Sequence, residues 1–378
     1  MVLNPILNTL VFGLGIVSAA FLISWACEAV QKDISKALAI AFVALIAVLP
    51  EYTVDVILAW KAGADPTGPY IHYAAANMTG ANRLLVGLGW PLVFFLYWAK
   101  TKKSLIFEKS ISMELIPLTI ATLLSFLIFL QGGIEIWHSV VLIGIFILYI
   151  WMISHSEIEE PDLLGPAQSI GLLKKNFRIS IIAFLFIFSA SVILSSAEPF
   201  VESLLDTGES LGVDKFILIQ WVAPLASEAP ELLIASLLAF RGHALWAMIV
   251  LISSKVNHWS LLVASLPITY SISYGVPSPL PLDARQLEEF LLTSAQSLFA
   301  IILLIRLRLN LIGSITLFLL FITQLFFTEP NARYVYVFIY LALSLFLLFK
   351  DKKGIKQIGV LLEDFLNRIK GSNMKKLY

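Results

Sequence analysis

The chain has 378 residues, of which 59% are hydrophobic and 14% are charged. Soluble domains carry about 25% charged residues, so this composition excludes an ordinary soluble globular protein. The net charge of zero gives no field that would recruit nucleic acid, and the single cysteine, Cys27, excludes a disulfide framework and a cysteine-rich metal site.

The apolar residues form runs of about twenty, the length at which a helix crosses the hydrocarbon core of a bilayer. These runs predict an all-α polytopic membrane protein with the lipid bilayer as its surrounding partner. The predicted spans, in chain order, cover residues 5–29, 36–60, 71–98, 112–130, 136–153, 179–200, 215–240, 244–273, 288–305, 311–327 and 331–349.

The connections between the spans predict the orientation of the chain. The longest connection, 154–178, is polar, and the tail, 350–378, is basic and amphipathic. Odd-numbered connections hold twelve lysines and arginines, whereas even-numbered connections hold four. Because basic loops stay in the cytoplasm, we expect the odd connections and the tail inside and the N-terminus outside. A multi-pass protein of the plasma membrane is therefore predicted.

An internal repeat links two halves of the chain. The segment LPEYTVDVILAWK (49–61) matches APELLIASLLAFR (229–241), and NRLLVGLGWP (82–91) resembles WSLLVASLP (259–267). The first pair lies on spans two and seven, so an odd number of crossings separates the copies and their orientations are opposite. The sequence thus predicts two inverted five-helix repeats, residues 1–153 and 179–327, plus one extra C-terminal helix, 331–349.

Each copy of the repeat places a proline next to a glutamate inside a membrane span. Proline removes a backbone donor and interrupts a helix, and a break of this kind is tolerated at membrane depth only where it lines protein or a wet cavity. Inverted repeats with interrupted helices near the midplane are a transporter architecture. Pro50-Glu51 and Pro230-Glu231 therefore predict a transporter in which two interrupted helices line a cavity.

On these residues the sequence resembles the sodium/calcium exchanger (cation/Ca²⁺ antiporter) superfamily. Its members carry a Gly-Thr-Ser-x-Pro-Glu type motif on the second helix of each half and a Gly-Asn-x-x-Gly-Ser-Asn type motif on the next helix. The two Pro-Glu pairs match the core of the first motif, and Asn-Met-Thr-Gly-Ala-Asn (77–82) matches most of the second.

The resemblance implies a ten-helix core in which a cation binds between Glu51 and Glu231. It also implies Asn77 and Asn82 as further oxygen ligands. The chain departs from the family pattern before each proline: the two positions where the motif has hydroxyl residues hold Ala47 and Val48 before Pro50, and Ser227 and Glu228 before Pro230. Ca²⁺ takes six to eight oxygen ligands, so Ser227 and Glu228 join the candidate metal ligands.

The second half has Lys255, Asn257 and His258 where the asparagine motif is expected. An ammonium about 5 Å from a divalent ion would repel it by roughly 6–7 kcal/mol at an effective dielectric of about 20. Lys255 therefore has three interpretations: a built-in cation that fills one ion position, a coupling group that loses its proton when a cation enters, or a structural bridge to Glu228 or Glu231.

Other ionisable groups inside the spans are expected to face a cavity or a partner. We predict that Arg83 pairs with Asp55 or another acid and holds helices together. His258 is interpreted either as a proton relay or as a hydrogen-bonded spectator. With Lys255 and Asn257, these residues form a coupling or bridging set beside the ligands.

The sequence thus predicts a secondary-active antiporter, not an enzyme, that moves Ca²⁺ or another cation in exchange for Na⁺ or H⁺. The alternative is a Na⁺/H⁺ antiporter with Lys255 at the site. An intramembrane metal-dependent hydrolase built on Glu228, Glu231 and His258 conflicts with the repeat and lacks a paired histidine set, and a channel would not need proton-titratable groups. Inorganic cations are the expected partners, with no cofactor and no nucleic acid; the oligomeric state is left open.

Overall fold

The computed structural model describes residues 4–30, 32–33, 49–154, 163, 165–327, 329–350 and 352–374, and these residues are almost entirely helical. The α-helices, numbered in chain order, are α1 (Pro5–Val30), α2 (Leu49–Ala64), α3 (Tyr70–Leu84), α4 (Trp90–Thr101), α5 (Ser112–Gln131), α6 (Ile136–Ser154), α7 (Pro166–Gly171), α8 (Lys175–Leu211), α9 (Lys215–Phe240), α10 (Ala244–Asn257), α11 (Val263–Tyr274), α12 (Ala284–Ile305), α13 (Leu311–Gln324), α14 (Pro330–Lys350) and α15 (Lys352–Met374).

Two of the long spans contain a π-helical turn. Leu85–Gly89 joins α3 to α4, and His258–Leu262 joins α10 to α11. A π turn widens the helix locally and is common at functional sites. The two spans with this irregularity are the ones that the repeat makes equivalent, and one of the turns begins at a candidate site residue.

Within the described residues, eight helices are long and apolar enough to cross a bilayer, and α9 becomes a ninth if its two parts count as one span. Those parts, Lys215–Ala229 and Glu231–Phe240, meet at an angle of 54°. A bend between these parts follows from the backbone hydrogen bond that a proline cannot donate. The predicted span 36–60 is described only from Leu49 onward; its first part lies outside the described residues.

Helix α8 is longer than the span predicted at 179–200. It has 37 residues and begins at Lys175. At about 1.5 Å per residue it is roughly 55 Å long, more than the hydrocarbon core requires. The hydropathy pattern marked only its most apolar part, so the helix continues beyond the membrane.

Several helix contacts join the first part of the chain to the second. α1 packs along α8, α3 crosses α9, and α2 crosses α11. The repeat equates α2 with α9 and α3–α4 with α10–α11, so each of the last two crossings joins a span of one half to a span of the other. Both need a glycine: a Cβ on Gly80 would overlap the Gln220 carbonyl, and one on Gly63 would overlap that of Tyr270. Small residues allow such close backbone approach in membranes.

Two short antiparallel sheets join connections from opposite halves, a feature that the sequence did not predict. β1 (Leu105–Ile106) pairs with β4 (Arg308–Leu309), and β2 (Gly133–Ile134) pairs with β3 (Leu280–Pro281). The first sheet joins the third and ninth connections, and the second joins the fourth and eighth. Each sheet therefore joins two connections that the charge pattern predicts on the same side of the membrane.

The amphipathic tail contacts the protein as well as presenting a free face. Leu361 and Phe365 are buried, and Phe365 packs with Met113 and Met152. The Ser112 hydroxyl donates a hydrogen bond to Asp364 Oδ2 at 2.7 Å. One side of α15 thus packs against the ends of α5 and α6.

Candidate ion-binding site

Two carboxylates meet at one imidazole in the interior of the helix bundle. His258 Nε2 lies 2.5 Å from Glu51 Oε2, and His258 Nδ1 lies 3.3 Å from Glu228 Oε1. One ligand atom from each residue lies within 4.8 Å of the others, and all three side chains are buried. Glu51 comes from the first turn of α2, Glu228 from α9, and His258 from the start of the π turn after α10.

This cluster has the composition of a cation site. Two carboxylates removed from water and placed this close together require a compensating positive charge, which a metal ion or protons would supply. Carboxylate oxygen is the ligand that hard cations prefer, and a neutral imidazole offers one further lone pair. The arrangement can therefore hold a cation, protons, or each in turn.

Glu231, the predicted partner of Glu51, has a different contact in this structure. Its Oε2 accepts a hydrogen bond from Ser254 Oγ at 2.7 Å, and the side chain is half-buried. The 54° bend of α9 separates Glu231 from Glu228, which would share one face in a straight helix. The structure therefore places Glu228, rather than Glu231, against Glu51 and His258.

Asp55 pairs with an amide instead of a cation. Its Oδ1 accepts a hydrogen bond from Asn77 Nδ2 at 2.8 Å, and both side chains are fully buried. The predicted bridge between Asp55 and Arg83 is wrong. Asp55 lies one turn after Glu51 on α2, so the Asp55–Asn77 pair links α2 to α3 beside the carboxylate cluster.

Lys255 contacts the other asparagine of the first-half motif. Its ammonium donates a hydrogen bond to Asn82 Oδ1 at 2.7 Å and lies 3.4 Å from the Asn82 carbonyl oxygen. The Asn82 amide nitrogen in turn donates to the Met78 carbonyl at 2.8 Å. The interpretation of Lys255 as a bridge to Glu228 or Glu231 is wrong, because these contacts are with Asn82.

The two remaining candidates contribute to the walls of the site. Asn257 Oδ1 accepts a hydrogen bond from the Tyr52 hydroxyl at 2.9 Å, which ties α10 to α2 next to Glu51. The Ser227 hydroxyl donates to the carbonyls of its own helix, Ala223 at 3.3 Å and Pro224 at 3.2 Å. Ser227 thus satisfies backbone acceptors just before the bend in α9.

Arg83 pairs with a carboxylate that the sequence analysis overlooked. Its Nη2 lies 2.5 Å from Glu289 Oε2 on α12, and Arg333 Nη2 on α14 lies 2.8 Å from Glu289 Oε1. All three side chains are buried, and the Arg83 guanidinium lies over the Trp221 ring at 4.9 Å. The sequence predicted that Arg83 pairs with Asp55 or another acid, and its partner is another acid, Glu289. The signal that pointed to Glu289 was its position inside a predicted span.

Gln220 is a second buried polar residue that the sequence analysis missed. It lies on α9 at the crossing with α3, is fully buried, and its side-chain amide has no hydrogen-bond partner among the described residues. A single glutamine in the otherwise apolar FILIQWV was the available signal.

Comparison with known proteins identifies one matching family and several matching folds. The model of the sodium/calcium exchanger protein family matches residues 5–154 and 181–328. A comparison with curated proteins gives no significant match. Among solved structures, the H⁺/Ca²⁺ exchanger CAX is 43% identical, with a TM-score of 0.93 over 98% of this chain and 93% of that one.

Two more distant structures show the same fold. The sodium-calcium exchanger NCX_Mj is 16% identical, with a TM-score of 0.58 over 85% of this chain and 98% of that one. YfkE is 16% identical, with a TM-score of 0.61 over 85% of this chain and 91% of that one. These matches confirm the predicted exchanger-like membrane fold. With the family model covering most of its length, the chain belongs to the sodium/calcium exchanger protein family.

Proposed function

We propose that this protein exchanges Ca²⁺ for protons across the membrane, and that Glu51, Glu228 and His258 form the site at which the two compete. The observation that carries the proposal is the meeting of two buried carboxylates at one imidazole, at 2.5 and 3.3 Å. Similarity to an H⁺/Ca²⁺ exchanger at 43% identity supports the choice of ions.

Charge balance explains how one site performs exchange. One Ca²⁺ and two protons carry the same charge, so either occupant neutralises the two carboxylates. The oxygens that bind the ion are the atoms that take the protons, which means that binding of one occupant displaces the other. His258 contacts both carboxylates, so it is placed to pass a proton between Glu51 and Glu228.

The origin of the ligands links this competition to movement. Glu51 belongs to α2 in the first half of the predicted repeat, and Glu228 belongs to α9 in the second. In transporters of inverted repeats, alternating access arises when one part rocks against the other around a fixed site. A site whose oxygens come from both halves changes its geometry as the halves move.

Membership of a transporter family also bears on the alternatives. The hydrolase alternative grouped Glu228 and His258 with Glu231, all from the second half of the chain. In the structure, the third residue of the cluster is Glu51 from the first half, and Glu231 bonds to Ser254. The family is one of antiporters rather than enzymes.

We retain the predicted orientation, with the C-terminus in the cytoplasm, as part of the proposal.

The proposal is tested in proteoliposomes that contain the purified protein. An imposed pH gradient should drive uptake of ⁴⁵Ca²⁺, while a Na⁺ gradient of equal size should not. Glu51→Gln and Glu228→Gln should each weaken Ca²⁺ binding by about 10- to 100-fold, since a lost interaction with a charged group is worth about 1.5–3 kcal/mol.

Two comparison variants make the test specific. Glu209→Gln removes a carboxylate that pairs with Lys215 at an exposed position, so it should leave exchange unchanged. Glu231→Gln removes the same charge one turn from Glu228, and we expect a smaller loss. Abolished transport in Glu231→Gln with normal transport in Glu228→Gln would reassign the second carboxylate. Uptake driven by Na⁺ and not by the pH gradient would contradict proton coupling.

A further inference from the structure

Lys255 occupies an oxygen-lined position beside the carboxylate cluster. Its ammonium is held by the side-chain oxygen of Asn82 at 2.7 Å and the backbone oxygen of the same residue at 3.4 Å. The face of the Trp259 ring lies 4.2 Å from the nitrogen. The side chain is fully buried, on the helix whose next turn carries Asn257 and His258.

These partners are those of a monovalent cation. Amide and carbonyl oxygens replace water around such ions in proteins, and an aromatic face adds attraction to a positive charge. The Lys255 ammonium contacts Asn82 and Trp259, and no carboxylate lies within 4.0 Å of it among the described residues. Nearby Arg83 is paired separately with Glu289. The ammonium is therefore held as a bound cation would be, and not as half of a salt bridge.

We propose that the Lys255 ammonium permanently fills a second, monovalent cation position next to the divalent site, and that Lys255 thereby excludes Na⁺ and determines which ions this exchanger uses. The inference rests on the proposed function for the identity of the neighbouring site. The lysine and its oxygen ligands come from equivalent spans of the two halves, α10 and α3. The cation position between these two spans is thus occupied by a side chain of the protein itself.

Direct binding of ²²Na⁺ to the purified full-length protein tests this proposal. The wild type should bind no saturable Na⁺, whereas Lys255→Ala should bind one Na⁺ per chain, because it opens the space and leaves the Asn82 oxygens free. Lys255→Arg is the matched control: it keeps a positive charge at the position, so it should bind none. N-methylglucamine at equal ionic strength controls for general effects of salt.

Lys255→Gln provides a second variant if Lys255→Ala does not elute as a single folded species in gel filtration. Glutamine keeps a polar contact with Asn82 and removes the charge, so it should also gain one Na⁺. Saturable Na⁺ binding by the wild type overturns the proposal on its own, as does the absence of any gain in a folded, uncharged variant. The readout does not need Ca²⁺ transport. A gain of Na⁺ without Ca²⁺ exchange refutes the proposed function alone, and exchange without a gain refutes this inference alone.

Discussion

Asp33 and Arg178 tie the end of α1 to the beginning of α8. Arg178 Nε donates to Asp33 Oδ2 at 2.7 Å, and Nη2 donates to Oδ1 at 2.6 Å. The remaining Nη1 donates to the carbonyls of Gly171 and Leu173. The Arg178 hydrogen bonds hold the pKa of Asp33 below its ordinary value of 3.8. This bidentate contact holds the start of α8, where the connection between the two halves ends, against the end of α1 outside the membrane.

We expect Arg178→Gln to lower the midpoint of thermal unfolding at neutral pH. The lowered pKa means that the bridge stabilises the folded protein fully above pH 3.8. As the pH falls below that value, the unfolded chain takes up the proton first, and the stabilisation is lost as the pH falls through the pKa of folded Asp33. The difference between wild type and variant should therefore shrink in acid.

Unfolding midpoints measured from neutral to acidic pH check this expectation. Lys174→Gln is the control, since it removes the same charge from an exposed position on the same connection. A difference between wild type and Arg178→Gln that stayed constant across the whole pH range would rule out the bridge as its source.

The candidate site shows what residue spacing predicts and what it leaves open. Pro50-Glu51 and its copy at 230–231 predicted a site near these breaks, and Glu51 belongs to the buried cluster with Glu228 and His258. The spacing of Glu228 and Glu231 placed both on one face of a straight helix, but the bend in α9 sends them to different partners. Likewise, a sequence shows that Arg83 needs an acid without showing that the acid is 206 residues away, at Glu289.

At the scale of helices, the crossing of α3 and α9 depends on a residue without a side chain. A Cβ at Gly80 would overlap the backbone carbonyl of Gln220, which has no flexible end that could move aside. Such contact holds the two halves of the molecule close together near the ion site. The crossing of α2 and α11 relies on Gly63 in the same way.

We expect Gly80→Ala to cost at least about 1–3 kcal/mol of stability, the typical penalty for overpacking, because α3 and α9 must separate. Thermal unfolding in detergent measures the effect. The control is Gly144→Ala on α6, where a Cβ would meet nothing within 4 Å. This substitution should be neutral or slightly stabilising, since alanine favours the helix. Equal midpoints for the two variants would show that the close approach of α3 and α9 is not required.

The helices themselves were largely predictable from hydropathy. Ten of the eleven predicted spans coincide with described helices, and the second is described from Leu49. The predicted ends of a helix differed most from the observed ends where the helix leaves the membrane, as α8 does, because its polar ends carry no hydrophobic signal. The two short sheets were not predictable, since they pair distant parts of the chain. The π turns were not predictable either, because hydropathy does not distinguish a π turn from an α-helical turn.

Across the whole molecule, Glu289 holds three helices together. It lies on α12 and binds Arg83 from α3 and Arg333 from α14. The helix α14 follows the residues that the family model matches, so Arg333 anchors an additional helix to the exchanger core. Two buried guanidinium groups share one carboxylate. Loss of this carboxylate therefore leaves more buried charge unpaired than loss of either arginine.

We expect Glu289→Gln to destabilise the protein by about 3–5 kcal/mol, because it leaves two arginines buried without their carboxylate. Arg333→Gln should cost less, since the Arg83–Glu289 pair remains. The double variant should fall between them, because one unpaired arginine is left instead of two. Unfolding midpoints of the three variants measure this order. If Arg333→Gln were as harmful as Glu289→Gln, the contact would depend on the packing of α14 and not on charge.

The sequence by itself determined the class of protein, its helices, its internal repeat and its family. These features are local or periodic: apolar run length, proline position and a motif that occurs twice. The tertiary structure decided the partners of the buried charged groups. A buried charge accepts whichever opposite charge or oxygen the helix packing brings within reach, and a bend such as that in α9 changes which one it meets. Hence Glu51 faces Glu228 and His258, Arg83 faces Glu289, and Lys255 binds the oxygens of Asn82.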